Sequence, residues 1–374
     1  MTLFLLIFLS IYSAMHVLVF WGAHPLLKGH PALPTLTWVW MALMIFAPLL
    51  VRLSERAEYE NLARALAWVS YSWMGVVFVA FSLFVLLGIW ELFAAVISRL
   101  DVLSVDLSIR GGVTAFLAGV IVLGACFYGL YEANTLQIEQ VRIVSDKLPA
   151  DSTPIRIAQV SDMHLGLIHR DEALTPVVNR LRELRPDLLV ATGDIVDAQI
   201  NHLEELSSIW NQLDPPLGKF AVLGNHEYYA GLGQSIDFLK KSGFRILRNE
   251  AVAVGEVLRL AGVDDPARQG VSDDGAALSG ASDRFTVFLK HRPLISDEAK
   301  GRFDLQLSGH SHRGQIFPFN LLTGLRFPMQ DGLYTLEGGA HLYTSRGTGT
   351  WGPPMRIFSP PEITVIEIVS TESI

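Results

Sequence analysis

Apolar residues crowd the first third of the chain, in runs long enough to cross a bilayer. A spanning helix needs about 20 mostly apolar residues, and four segments qualify. They cover residues 3–21, 36–51 with Arg52 at the end, 66 to beyond Trp90, and 113–131. The third exceeds one span, which predicts tilt or an interfacial continuation through residues 91–97. Trp21, Trp38, Trp40, Trp68, Trp90, Tyr71 and Tyr131 lie mainly near segment ends, where aromatic rings favour the headgroup region. After about Glu132 the pattern changes. Residues 136–144 alternate apolar and polar positions, the period of a strand. A polar, proline-containing break at 146–154 follows. Short apolar runs then recur at 155–160, 188–191, 220–223, 285–289, 305–307, 342–344 and 363–369, each predicting a strand. Between them, Leu174, Val177, Val178, Leu181 and Leu184 form a helical stripe over 174–185. A second short helix is expected at 235–241, closed by Gly243. Residues 263–284, rich in Gly, Ala, Ser and Asp, read as a solvated loop. The expected organisation is a four-helix transmembrane region at 1–132 and an α/β domain at 133–374.

Composition agrees with that division. Half of the residues are apolar and 18% are charged, too greasy a balance for one soluble domain. The formal net charge is −8 and no Lys/Arg-rich run occurs, so no nucleic acid partner is expected. With Cys126 as the single cysteine, an intramolecular disulfide is excluded. The first apolar run has no Lys or Arg before it and no A-x-A site after it, so it reads as an anchor rather than a cleaved signal peptide. His16 and Glu91 are the ionisable residues that would favour a transporter. Arg52, Arg56, Arg64, Arg142 and Lys147 fall on one side of the expected topology, and Lys28, Arg99 and Arg110 on the other. Five against three places the C-terminal domain in the cytoplasm by the positive-inside rule.

Candidate chemistry follows five of the apolar runs. Residues 155–160 lead into Ser161-Asp162-Met163-His164, and 188–191 into Gly193-Asp194-Ile195-Val196-Asp197. Residues 220–223 lead into Gly224-Asn225-His226-Glu227, 285–289 into His291, and 305–307 into Gly309-His310-Ser311-His312. Ligands of α/β sheets gather beyond the carboxyl ends of strands, so five such ends can meet at one site. Singly, each motif has an ordinary structural reading: Asp162 as a turn cap, Asp194 as a loop acid, His291 as a packed imidazole. Their order and shared context argue otherwise. The globular part holds eight histidines, and five fall in these motifs.

In that order the motifs resemble the calcineurin-like metallophosphoesterase superfamily, D-x-H, G-D, G-N-H-E, H and G-H-x-H, over residues 136–369. Gly262-Val263-Asp264-Asp265-Pro266, Ser345-Arg346-Gly347-Thr348-Gly349 and Pro360-Pro361-Glu362-Ile363 are similar to its membrane-anchored bacterial branch. The resemblance implies a β-sandwich flanked by helices and a site for two divalent metal ions, Mn, Fe or Zn. Asp162, His164, Asp194 and His312 would hold one ion, and Asp194, Asn225, His291 and His310 the other, with Asp194 bridging. Imidazole, carboxylate and amide oxygen suit such ions, and no thiolate offers a softer site. Two cations about 4 Å apart share a water, lower its pKa to give hydroxide, and clamp phosphoryl oxygens. His226 would act on the leaving oxygen or phosphoryl group, oriented by Asp197. Arg313, His341 and Arg346 could grip a phosphate or serve structure. The expected protein is an integral, multi-pass phosphoesterase of a bacterial inner membrane. It would cleave a phosphomonoester, phosphodiester or pyrophosphate, a lipid-linked substrate among them. The alternatives are a membrane transporter or sensor regulated by a phosphoesterase domain, and a binding module without turnover; the complete ligand set argues against the latter.

Overall fold

A computed structural model describes residues 2–100, 106–150, 152–197, 203–267 and 272–373. It divides into two units, Met1–Tyr131 with Gly352–Met355, and Glu132–Trp351 with Arg356–Ile374. The first is helical: α1 (Thr2–Leu27), α2 (Ala32–Arg56), α3 (Glu60–Arg99) and α4 (Gly112–Ala133). All four are long and apolar enough to cross a membrane. Helix α3 runs unbroken for 40 residues, roughly 60 Å at 1.5 Å per residue, about twice the hydrocarbon core. The continuation through 91–97 is therefore helical. Both ionisable residues noted above have local partners. His16 Nδ1 lies 2.7 Å from the Tyr12 carbonyl, and Trp73 Nε1 donates to His16 Nε2 at 3.0 Å. Glu91 accepts from Ser108 Oγ (2.7 Å) and the Ile109 amide (2.9 Å). These ties give both residues a structural use within the bundle.

In the second unit, β1 (Gln137–Ser145), β2 (Ile155–Val160), β3 (Leu188–Thr192), β4 (Lys219–Val222), β5 (Arg245–Ile246) and β12 (Glu362–Ser370) form one six-stranded sheet. Its order is β1-β12-β2-β3-β4-β5. The other sheet contains β6 (Glu250–Val254), β7 (Leu258–Gly262), β8 (Phe285–Leu289), β9 (Leu305–Ser308), β10 (Gly332–Thr335) and β11 (His341–Thr344), ordered β10-β11-β9-β8-β7-β6. Successive side chains of a strand point to opposite faces, and the sequence uses both. Ile157, Leu188, Val190, Val222, Leu260, Val287 and Leu307 meet in the core between the sheets. Ala158, Val160, Leu189, Ala191 and Ala221 face the helical side instead. There they pack against α5 (Asp171–Leu184), α6 (Glu204–Trp210) and, after the short α7 (Asn225–Ala230), α8 (Leu232–Lys241). The α5 stripe Leu174, Val177, Val178 and Leu181 is buried against that face, each side chain contributing about 1.5–3 kcal/mol. Trp210 fills the same layer, fully buried.

Parallel pairing carries the plan. Strands β2, β3 and β4 are parallel neighbours, as are β7, β8 and β9. Parallel neighbours need crossovers, so their carboxyl ends fall on the same edge of each sheet. The loop expected at 263–284 needs correction. Its described part contains a short helix, α9 (Asp274–Ala277), capped by Asp273 Oδ1 on the Ala276 amide at 2.8 Å. Ala277 and Leu278 are buried, and buried Asp274 accepts from Lys290 Nζ at 2.5 Å. Small side chains allow this close packing, which composition alone disguises as solvation. Residues 268–271 of that stretch lie outside the described residues.

Candidate metal centre

The ends of β2, β3, β4, β8 and β9 bring the five motifs together. Asp162, His164, Asp194, Asn225, His291 and His312 are buried, while His310 is partly exposed. Two groups of donor atoms are made of the expected ligands, and a third, His164–Asp197–His226, overlaps the first at His164. In the first, His164 Nε2 and His312 Nε2 lie 3.1 Å apart, and Asp162 Oδ1 is 3.2 Å from His312 Nε2. In the second, His291 Nε2 is 3.0 Å from Asp194 Oδ2 and 3.0 Å from His310 Nδ1. Asn225 adds a buried Oδ1 that has no hydrogen-bond partner among the described residues.

Backbone conformation shows what this convergence demands. Asp162 (φ 53°), His164 (φ 49°), Asp194 (φ 53°), His310 (φ 70°) and His312 (φ 48°) all adopt the left-handed region. A non-glycine residue there costs about 1–3 kcal/mol, and such strain collects at functional sites. The turns need glycine where backbones close in. At Gly193 (φ 92°) a Cβ would come 2.6 Å from the Gly224 nitrogen and 2.7 Å from His291 Nδ1.

A second layer of hydrogen bonds aims these groups. His291 Nδ1 lies 2.8 Å from the Thr192 carbonyl, which as acceptor fixes the proton on Nδ1 and frees Nε2 as a lone-pair donor. The Asp162 carboxylate accepts from Ser161 Oγ at 2.6 Å and from the His310 amide at 3.0 Å. Asp194 Oδ1 accepts from the His226 amide at 2.8 Å. Burial by itself would raise the Asp162 and Asp194 carboxyls. His312 and His291 at Asp162, and His291 and His226 at Asp194, outweigh it and hold both below the usual range; against its burial, Asp194 in turn raises His291 to about 10, so a cation binding there displaces a proton from Nε2. Both carboxyls are thus ionised at neutral pH, the form that binds cations. Burial lowers His310 to about 3, keeping its imidazole neutral.

The residues fit metal. Imidazole nitrogens face each other at 3.0–3.1 Å in both groups, and an amide oxygen lies buried and unpaired beside them. Lone pairs that converge in a buried site are costly unless a cation or proton joins them. The donor set is oxygen and imidazole nitrogen, suited to Mn, Fe or Zn.

His226 stands beside these groups. Its Nδ1 hydrogen-bonds to Asp197 Oδ1, and its ring meets His164 edge-on at 4.7 Å. Burial would lower the His226 pKa, but Asp197 and Asp194 raise it to about 9.

Several contributors went unassigned in the sequence. Buried Glu227 accepts from the amides of Asp194 (2.9 Å), Ile195 (2.7 Å), Val196 (3.2 Å) and Gly224 (2.7 Å). One carboxylate thereby pins the turn carrying Asp194 to the turn carrying Asn225. Its spacing, three residues after Gly224, is that of a capping box, and was the available signal. Fully buried Arg356 donates to the carbonyls of Arg346 (2.8 Å), Gly349 (2.9 Å) and Ser359 (2.8 Å). Gly349 and Thr348 in turn donate to the carbonyls of Asp162 (3.0 Å) and Ser161 (2.7 Å). Nothing local in the sequence marks Arg356. Exposed Tyr229 and Trp351 flank the His226 ring at 5.4 and 5.7 Å. The three residues left open between phosphate binding and structure have protein partners. Arg346 pairs with buried Glu362 (2.8 Å) and with Glu139 (2.5 Å), Arg313 with Asp331 (3.4 Å), and His341 Nδ1 lies 3.4 Å from Thr335 Oγ1. Asp265, in the Gly262–Pro266 motif, accepts from Arg292 Nε (2.7 Å) and Nη2 (2.9 Å), steadying the segment next to His291.

Comparison with known proteins agrees with this geometry. The profile of the calcineurin-like phosphoesterase family matches residues 155–314. An uncharacterized metallophosphoesterase of Aquifex aeolicus is 44% identical over 256 residues, 66% of this chain and 97% of that protein. One from Helicobacter pylori J99 is 33% identical over 303 residues, covering 78% and 80% of the two chains. A zebrafish (Danio rerio) protein named a transmembrane protein with metallophosphoesterase domain is 33% identical over 268 residues, 67% of this chain and 61% of that one.

Proposed function

The chain belongs to the calcineurin-like phosphoesterase family, and on that premise we propose that it hydrolyses a phosphoester or pyrophosphate bond at a binuclear metal site next to a membrane. The observation that carries the reading is the pair of facing donor groups, Asp162–His164–His312 and Asp194–His291–His310. The first would hold one divalent ion and the second the other, with Asp194 shared between them and Asn225 completing the second. Ions held there would supply Lewis acidity, lowering the pKa of water and neutralising charge on the phosphoryl oxygens. The chain's own residues do the rest. Asp162 and Asp194 bring the anionic charge that offsets cation repulsion. Glu227 and the Thr192 carbonyl keep the turns and the His291 ring in register. Hydrolysis joins a water oxygen to phosphorus and breaks the ester P–O bond, so the departing oxygen needs a proton. His226, oriented by Asp197, would deliver it.

The finer reading includes Mn, Fe or Zn as the metal and a lipid-borne phosphate as substrate. It places residues 1–132 as the anchor in a bacterial inner membrane, with residues 133–374 as the phosphoesterase domain on the cytoplasmic side. Support comes from the four apolar helices, the basic residues flanking them, and the zebrafish relative's transmembrane name. The direct test is metal dependence. Purified chain treated with a chelator should lose hydrolysis of an aryl phosphodiester and regain it with Mn²⁺. Equal rates before and after chelation would reject the reading.

A further inference from the structure

The helix after the Gly309-His310-Ser311-His312 turn, α10 (Phe319–Arg326), is built the reverse way from a helix of a soluble domain. None of its residues is buried. Its polar positions face the protein: Thr323 Oγ1 donates to Gln330 Oε1 at 2.6 Å, and Gln330 Nε2 donates to the Asn320 carbonyl at 3.2 Å. Its apolar positions face out. Leu321, Leu322 and Leu325 are 63%, 61% and 82% exposed. Spaced i, i+1 and i+4, they lie on one face. The surface continues through Phe319 and through Phe317, whose ring meets that of exposed Phe358 edge-on at 5.8 Å. Exposed Arg326 ends the helix. An apolar patch of this kind marks a partner or a membrane.

The helix is fastened to the metal centre. Ser311 Oγ donates to the Gln330 carbonyl at 2.6 Å. Phe327, directly after the helix, packs edge-on against the His310 ring at 5.1 Å. A Cβ on Gly314 would come 2.8 Å from the Phe319 carbonyl carbon. Whatever receives α10 therefore sits beside the phosphoryl-binding groups.

We propose that α10 and its aromatic flank form a lipid-contact surface, which seats in the headgroup–acyl boundary of a phospholipid bilayer and presents the metal centre at headgroup depth. Two observations favour lipid over a protein partner. The same chain carries four helices able to cross a membrane, and only Asn134, Thr135 and Leu136 separate α4 from β1, so the domain bearing α10 is tethered by a short link to a membrane-competent segment. Leu and Phe bounded by Arg is also the composition of helices that lie in a membrane interface. The inference rests on the membrane-anchored part of the proposed function and deepens it, since a phosphate carried on a lipid headgroup is then the substrate class that meets the site without leaving the bilayer.

The test uses the full chain, one copy per phospholipid nanodisc, with Cys126→Ser and Leu325→Cys carrying an environment-sensitive fluorophore. Blue-shifted emission, quenched several-fold more by nitroxide-labelled lipid than by aqueous iodide, is the expected result. Quenching by iodide alone means that α10 faces water and overturns the proposal. Protection from both quenchers means that protein covers the face, and overturns it equally. A Tm matching that of the parent chain shows that labelling leaves the fold intact. Because the readout is depth and not turnover, an inactive protein that still passes would count against the phosphoesterase reading and not against this one.

Discussion

The His226 amide donates a hydrogen bond to Asp194, yet the two residues have different expected roles. Asp194 faces His291 and accepts from the His226 amide, and on the proposed reading it would serve both ions. Asp194→Asn keeps the size and removes the charge that offsets repulsion between close cations. The variant should hold fewer metal ions and be nearly inactive. On the proposed reading the His226 ring would act on the phosphoryl group, and its Nδ1 is held by Asp197. His226→Ala should keep its metal and lose about 10²–10⁴-fold in rate, the range of general acid–base groups. Elemental analysis of both variants beside their rates separates the roles; equal metal loss in the two would show that His226 is a ligand. Most of this site is visible in the sequence because each residue follows an apolar run directly. Glu227 stands in its motif with no legible role, since accepting four amides is a property of the folded turns. Arg356 was not visible at all. It acts on backbone carbonyls, and those come together only after folding.

At the scale of elements, the strands that end in chemistry are the ones periodicity predicts well. β2, β3, β4, β8 and β9 are short apolar runs because parallel strands in a two-layer core are buried on both faces. Four strands differ in kind. β5 has two residues, β6 lies at a sheet edge, β10 is mostly uncovered, and β7 is a buried inner strand whose short apolar run is broken by Arg259. Their pairing is set by neighbours rather than by their own pattern. The stripe of α5 was legible because one face alone is buried. Helix α10 was not, because Phe319, Leu321, Leu322 and Leu325 are apolar for a surface rather than a core. α9 was hidden by a composition of Gly, Ala and Asp that resembles a loop, although its Asp274–Lys290 pair is buried. The left-handed turns at Asp162, His164, Asp194, His310 and His312 had no sequence signal, since none is a glycine. Strain of that sort is held in place by tertiary contacts.

For the whole molecule, four long apolar runs announced a membrane part, and its helices follow them to within several residues at most ends. The side on which the second unit stands is harder to read. Five basic residues against three give the cytoplasmic side a small advantage under the positive-inside rule. A reporter fused after Ile374 should accordingly read as cytoplasmic, and a periplasmic signal would reverse the assignment. The proposal that matters most is independent of the side: two ions held by seven residues from five strand ends. Its most direct test is the metal content of the purified full chain, measured by elemental analysis after loading with Mn²⁺ and removal of free metal. The account predicts two ions per chain; a fully active chain that holds one ion or none would contradict it.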